Sequence, residues 1–316
     1  MIAVRVARKA LEAEDICSFE LVPERGRLPP FTAGSHIDVH IPGGLIRQYS
    51  LCSKPFDLDF YQIAVLRDPA SRGGSIAMHA SVHQGDLIQI SEPRNHFPLE
   101  TTTDRPLLLA GGIGVTPILC MAERLAYVGA EFEMHYWTRS STRTAFMKRL
   151  QSGALASNVQ FHFDDGPPAQ KLTLDEVFAE TTAGRRAYIC GPGGFLEAAL
   201  NAARRARWDE SQIHFESFKS APVIDPGSGA FEVQIASSGA VYVVPPDKTV
   251  AQVLAENSVL VPLSCEQGVC GTCLTRVLSG VPDHRDLVLT PHEQARNDQF
   301  TPCCSRSLSP RLVLDL

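Results

Sequence analysis

Long apolar runs are missing from this chain. No stretch reaches the roughly 18 apolar residues that would mark a membrane-crossing helix, and the opening segment MIAVRVARKALEAEDICSFEL lacks the apolar core of an export signal. We therefore expect no membrane partner and a cytoplasmic location. Charge of one sign is also scarce. Lys and Arg number 29 against 35 Asp and Glu, a net charge of −6, and no basic run stands out, which argues against nucleic acid. An even, paired set of cysteines is lacking too. Nine is an odd count, five of them outside the C-terminal cysteine pattern, so thiolate ligands in a reducing compartment fit better than a disulfide framework. The ten histidines are scattered without ligand spacing. Internal repeats, low-complexity tracts and a G-x-G-x-x-G fingerprint are all absent.

What is present is ordinary globular composition, 44% hydrophobic and 20% charged over 316 residues. That length exceeds one core and implies several domains. Residues 1–103 read as short strands with Pro/Gly punctuation: Ile2 to Val6, Ser18 to Val22, Ser35 to Ile41, Gln48 to Leu51, Tyr61 to Leu66 and Asp86 to Ser91. The alternation in Ser35-His36-Ile37-Asp38-Val39-His40-Ile41 marks a half-buried strand. Such a set suits a small antiparallel barrel.

From 104 to 220 the pattern becomes α/β. Arg105 to Ala110 is a buried-strand run that enters Gly111-Gly112-Ile113-Gly114-Val115-Thr116-Pro117, and a helix from Ile118 to Tyr127 follows. Strands are predicted at Phe132 to Trp137, Val159 to Phe163, Ala187 to Cys190 and Ile213 to Phe218. Helices are predicted at Thr144 to Leu150, Leu174 to Ala179 and Phe195 to Ala206. Residues 221–229 are a linker by composition. Residues 230–316 form a small α+β domain, with strands at Phe231 to Ser237 and Ala240 to Val244, a helix from Val250 to Glu256 and a last strand from Arg311 to Leu316.

Three features carry chemistry. Arg47-Gln48-Tyr49-Ser50 places a cation and an aromatic ring on one face of a strand, with a hydroxyl beside them. Arg72-Gly73-Gly74-Ser75 opens a helix, where free N–H groups favour a phosphate. Together they would suit a flavin mononucleotide, although a plain strand and a Gly-Gly turn would read the same. Second, Gly111 to Pro117 and Cys190-Gly191-Pro192-Gly193 are two strand-to-glycine-to-helix junctions at strand C-termini, where nucleotides bind to parallel sheets. Third, Cys265, Cys270 and Cys273 stand at C-x4-C-x2-C spacing, and Cys303 lies 30 positions further on. That is the plant-type ligand pattern for a [2Fe–2S] cluster. A structural zinc site usually brings paired C-x2-C hooks, of which only one is present. Cys304 adjoins Cys303, and alternation along an extended chain lets only one of the two face the irons.

In this order the motifs resemble the phthalate dioxygenase reductase family over essentially the whole length. The resemblance implies three parts: a Greek-key antiparallel β-barrel for flavin, an α/β parallel-sheet nucleotide domain of ferredoxin-reductase type, and an α+β plant-type ferredoxin (β-grasp) domain. It implies FMN, NADH and one [2Fe–2S] cluster feeding a Rieske-type oxygenase by transient docking near the cluster. Carried over by position, Arg47 and Ser75 would hold the FMN phosphate, with Arg72 opening the phosphate turn and Gly73 and Gly74 giving backbone contacts. Tyr49 and Ser50 would line the isoalloxazine. Gly112, Gly114 and Thr116 would cradle the nicotinamide nucleotide, Cys190 and Gly191 would border its ring, and Phe218 would be the aromatic residue beside the flavin. The family's x-Ser-Arg after the last ligand matches Cys303-Cys304-Ser305-Arg306, which makes Cys303 the ligand and Cys304 a packed side chain. The metal set is then Cys265, Cys270, Cys273 and Cys303.

Thr116, Cys190 and Phe218 would surround hydride transfer, without an acid or base among them. The resemblance favours NADH, whereas Thr138-Arg139-Ser140-Ser141-Thr142-Arg143 after the second α/β strand admits the 2′-phosphate of NADPH. A stand-alone flavin and iron–sulfur NAD(P)H oxidoreductase serving small acceptors is the competing function. His284-Arg285-Asp286 copies a kinase triplet but lacks every companion motif, so it is read as chance.

Overall fold

The computed structural model describes residues 1–71, 73–100, 105–167, 172–179, 184–218, 229–263, 268, 271–286 and 288–316. Arg72, Cys265, Cys270, most of the linker at 221–229 and the 103/104 boundary lie outside them. The chain divides into two compact units, Met1–Ser217 and Phe218–Leu316.

The first unit begins with β1 (Ile2–Ala13), β2 (Ile16–Pro23), β3 (Ser35–Ile41), β4 (Leu45–Ser50), β5 (Tyr61–Leu66), α1 (Gly74–Ser81), β6 (Leu87–Ile90) and β7 (Arg94–Asn95). The strands pair antiparallel in the order β4-β3-β6-β1-β2-β5, with β7 also on β3. A bridge from Leu51 to Ile63 and the Cys52 N–H to Gln62 carbonyl bond of 2.8 Å join the two outer strands, so the sheet closes as a barrel. Inward alternation fills it with Val4, Val6, Phe19, Leu21, Ile37, Val39, Ile63 and Ile90, all buried. The first strand runs past Val6 to Ala13 because two register shifts let a long strand bend around the barrel.

Next come β8 (Leu107–Gly111), α2 (Val115–Tyr127), β9 (Glu133–Thr138), α3 (Met147–Leu150), β10 (Val159–Phe163), α4 (Leu174–Phe178), β11 (Ala187–Gly191), α5 (Gly193–Arg205) and β12 (Ile213–Ser217). The sheet is parallel throughout, in the order β10-β9-β8-β11-β12. Buried on both faces, β8 and β11 are apolar without alternation, as the sequence showed. The helix expected from Thr144 starts only at Met147, because Phe146 caps it in a left-handed conformation at φ 59°. Arg149, just after, ties the sheet to the barrel. Its Nε donates to Glu123 at 2.7 Å, and its Nη1 donates to the Cys52 carbonyl and to Gln62 at 3.1 and 3.0 Å.

The second unit holds β13 (Phe231–Ile235), β14 (Val241–Val244), α6 (Val250–Glu256), β15 (Thr275–Ser279), β16 (Pro282–Asp283), α7 (Pro291–Arg296), β17 (Gln299–Phe300), β18 (Arg306–Ser307) and β19 (Arg311–Leu314). Its main sheet runs β14-β13-β19-β15-β17, and β13 is parallel to β19 while β14, β15 and β17 are antiparallel to their neighbours. Helix α6 covers it through Val250, Val253 and Leu254. Thr249 starts that helix with a capping box closed by Gln252. Among the described residues no helix is long and apolar enough to cross a membrane.

Candidate redox sites

The strand β4 delivers Arg47 and Tyr49, two apart, to the same side. Helix α1 begins against that side. Gly73, at φ 84°, turns the chain into the helix, a conformation that favours glycine. A Cβ at Gly74 would lie 2.5 Å from Arg47 Cγ, so only glycine there lets the arginine stem lie flush on the helix start. Among the described residues no side chain caps the N-terminus of α1, which leaves its backbone N–H groups and dipole for an anion. The Ser75 hydroxyl is engaged otherwise, accepting from the Asp68 N–H at 3.1 Å and meeting Ser71 Oγ at 3.0 Å. The pairing of a cation with an uncapped helix start fits a flavin phosphate.

At the end of β8 the chain passes Gly111 and Gly112 into a short 3-10 turn and then α2, with Pro117 in its first turn. Gly112 has φ 53° and open space where a Cβ would be. Gly114 has none: a Cβ would lie 2.3 Å from the Cys190 carbonyl oxygen and 2.6 Å from the Gly191 nitrogen. The two glycine turns therefore touch through backbone. Phe195, in the first turn of α5, lies beside both, at 2.8 Å from a Cβ on Gly111 and 2.5 Å from one on Gly191. Pro192 begins α5 without a side-chain cap. The Thr116 hydroxyl donates inward to the Ile113 carbonyl at 3.1 Å and braces the turn. An open, uncapped double nest of this kind fits a dinucleotide. Downstream of β9, Arg143 is held by Glu14 at 3.2 Å and Asp15 at 3.6 Å, and Ser140 meets Thr142 at 3.0 Å. Arg139 is exposed.

Where β4 approaches the two glycine turns, the fold brings in a group that sequence reading missed. Ser50 Oγ lies 3.4 Å from Glu216 Oε2, and Glu216 is the register partner of Cys190 across β11 and β12. The residue keeps some open surface, but protein packs densely round its carboxyl, and that desolvation pushes it up to about 8. Burial, with the Glu216 charge beside it, also pushes the Cys190 thiol well up. Cys190 is thus a neutral, positioned thiol and not a nucleophile. The only hint in sequence was a carboxylate inside an otherwise apolar closing strand, Ile213-His214-Phe215-Glu216.

A pH signature follows. Between its ordinary 4.5 and about 8, the folded state binds more proton than the unfolded chain. The stability contributed by the neutral carboxyl is complete below 4.5 and is lost as pH rises towards about 8. Glu216→Gln should flatten that decline, and melting temperatures of both proteins from about pH 5 to about pH 9 check it.

In the second unit, Cys273 and Cys303 are both 3% exposed, and the Cys273 thiol donates to Cys303 Sγ at 3.3 Å. The Cys273 sulfur beside it and burial push the Cys303 thiol up, and a metal ion bound there would displace its proton. Cys304 packs in the same buried cluster and its thiol also interacts with Cys303; its Sγ meets the Thr301 hydroxyl at 3.1 Å and lies 2.3 Å from where a Cβ on Gly268 would be. Gly268 and Gly271 have φ 72° and 68°, as a loop wrapping backbone round sulfur requires. Two thiols at this separation fit a [2Fe–2S] cluster, with Cys265 and Cys270 outside the described residues. Phe218 directly follows β12 and is grouped with the second unit.

Residues 233–308 match the 2Fe-2S iron-sulfur cluster binding domain family. The whole chain is similar to vanillate O-demethylase oxidoreductase of a Pseudomonas strain, 53% identical with all of both chains covered. It is 38% identical to phthalate dioxygenase reductase of Burkholderia cepacia, covering 99% of this chain and 97% of the other. The solved structure of phthalate dioxygenase reductase, described as modular for electron transfer from pyridine nucleotides to [2Fe-2S], superposes with TM-score 0.78 at 38% identity over 100% of this chain and 98% of that one. An intact type IV self-sufficient cytochrome P450 monooxygenase contains a similar part, with TM-score 0.84 and 37% identity over 100% of this chain and 41% of that chain. Similar at these identities over its whole length, the chain belongs to the phthalate dioxygenase reductase family of flavin and iron–sulfur oxidoreductases.

Proposed function

We propose that this protein is the reductase component of a two-component Rieske-type oxygenase, moving electrons from NADH through FMN and a [2Fe–2S] cluster to the terminal oxygenase. The reading rests above all on the junction of Ser50, Glu216 and Cys190, where a flavin-type strand meets a dinucleotide nest. When bound, the flavin would supply conversion of a two-electron hydride into single electrons, and the cluster would supply one-electron exit.

The protein's share is placement. Arg47, the backbone at Gly73 and Gly74 and the start of α1, with Arg72 and Ser75 flanking it, bind the phosphate. Tyr49 and Ser50 line the ring, and Phe218 is the aromatic residue assigned beside it. Gly112, Gly114 and Thr116 shape the nest, while Cys190 and Gly191 border the nicotinamide. Cys265, Cys270, Cys273 and Cys303 hold the irons. The Glu216 carboxyl, neutral below about pH 8, keeps a proton next to Ser50. Engagement of Arg143 by Glu14 and Asp15 favours NADH over NADPH, since it withdraws one cation from the 2′ position.

The relatives named for vanillate and phthalate systems support an aromatic-catabolic oxygenase as partner. Docking near the cluster loop would be transient and small, as in other redox encounters. A cytoplasmic location suits thiolate ligands.

Anaerobic titration with NADH should bleach flavin absorption and then reduce the cluster; no bleaching overturns the reading. Reconstitution with the terminal oxygenase should restore substrate turnover. Cytochrome c reduction without any rescued oxygenase would instead favour the stand-alone oxidoreductase.

A further inference from the structure

The triplet His284-Arg285-Asp286 closes on the cysteine loop. Asp286 follows β16, and its side chain has no exposed surface. Oδ2 accepts the N–H groups of Val288 at 3.1 Å and Leu289 at 2.8 Å, and Oδ1 faces the Ser305 hydroxyl at 3.5 Å. His284 Nδ1 stands 3.6 Å from Oδ1. The described partners are donors or a ring that can donate, the arrangement that holds a carboxylate. The same segment lies directly against the cysteine loop. A Cβ at Gly268 would be 3.2 Å from Asp286 Cα, and one at Gly271 would be 3.1 Å from Val288 Cγ1. Ser305, which shares the Asp286 carboxyl with the turn, is two positions after Cys303 and also accepts the Arg285 N–H at 3.2 Å. The Arg285 guanidinium is directed to Asp283, 2.6 Å from Oδ2.

A turn of this shape needs an acceptor, not a charge. Asn would bond the same two N–H groups, whereas a buried carboxylate carries a desolvation cost of several kcal/mol. The charge therefore calls for a use beyond bracing. A fixed negative charge in low dielectric disfavours adding an electron nearby, and local charge and hydrogen bonding are among the means by which proteins set cluster potentials.

We propose that Asp286 is a tuning residue: its carboxylate, pinned beneath the cysteine loop, lowers the reduction potential of the [2Fe–2S] cluster and makes it a stronger one-electron donor. The proposal rests on the reading that Cys265, Cys270, Cys273 and Cys303 bind that cluster.

Redox titration of the full-length holoprotein, followed by electron paramagnetic resonance and visible absorption, tests it. At a solution potential set near the wild-type midpoint, Asp286→Asn should raise the ratio of reduced to oxidised cluster about tenfold, equivalent to 59 mV for one electron. Ser305→Ala removes a donor from the carboxylate, strengthens its field, and should move the ratio the other way. An Asp286→Asn protein with full cluster content and the wild-type ratio overturns the proposal. If that variant loses iron, Ser305→Ala decides, and an unchanged ratio there overturns it equally. A wild-type protein without a cluster signal would instead sink the underlying reading, before any variant is compared.

Discussion

Cys303→Ser is expected to yield a protein that binds flavin and is reduced by NADH but has lost the iron–sulfur absorption and resonance signal, while Cys304→Ser keeps both. The contrast follows from where the two sulfurs point. Cys303 Sγ faces Cys273 at 3.3 Å, and Cys304 Sγ is turned to Thr301 and Ser305, at 3.1 and 3.8 Å. Serine at 304 can keep those polar contacts, at the cost of a smaller atom beside Gly268. Serine at 303 replaces a soft thiolate ligand with an alcohol that holds its proton. Losing an outer partner of a metal ligand typically costs 10–100-fold, so losing the ligand should lower cytochrome c reduction by at least about a hundredfold. Iron content and cytochrome c rates of the two variants check this. Equal iron in both would move the fourth ligand away from Cys303.

Gly114→Ala is expected to separate nucleotide from flavin chemistry in the other unit. The added methyl would sit 2.3 Å from the Cys190 carbonyl oxygen and 2.5 Å from its carbon, and both are backbone atoms that no rotamer change can move. The two glycine turns must part. Overpacking of this sort costs about 1–3 kcal/mol. A displacement near 1 Å at a positioned reactant costs on the order of a hundredfold in rate. Flavin reduction by NADH in a stopped-flow instrument should fall by that order, whereas photoreduction of the flavin should be unchanged. A wild-type rate with NADH would show that contact between the nests does not set the geometry of transfer.

Much of this architecture could be read from the chain because its signals are local. A buried strand ending in glycines before a helix is visible within ten residues, and so is a cysteine run. Alternation left only one of Cys303 and Cys304 to face the irons, and the family's x-Ser-Arg picked Cys303; in the structure both stand in a turn, with Cys303 Sγ against Cys273 and Cys304 Sγ against Thr301. Glu216 was not legible, because its role depends on β12 lying beside β11 and on β4 of the barrel approaching from 166 positions away. Phe195 was named only as the start of a helix; that it spaces both glycine turns is a three-dimensional fact. The two-residue strands β16 and β18 are too short for any periodicity to show. Conversely, Thr144 to Leu150 had helical composition, and a left-handed Phe146 delayed the helix. His284-Arg285-Asp286 was discounted because the kinase triplet it copies lacks every companion motif here, and its actual neighbours, Gly268 and Ser305, are distant or unremarkable in sequence.

Arg149 has one more consequence. Two of its hydrogen bonds span barrel and parallel sheet while the third anchors it to Glu123 of α2, and Arg143 adds ion pairs to Glu14 and Asp15. Neither half can loosen without stranding polar groups of the other, so the two melt as one cooperative block. Any ligand that stabilises the barrel then protects the nucleotide sheet as well, in proportion to its own binding free energy. A flavin-depleted preparation would be open to proteases in α/β segments that never touch the flavin.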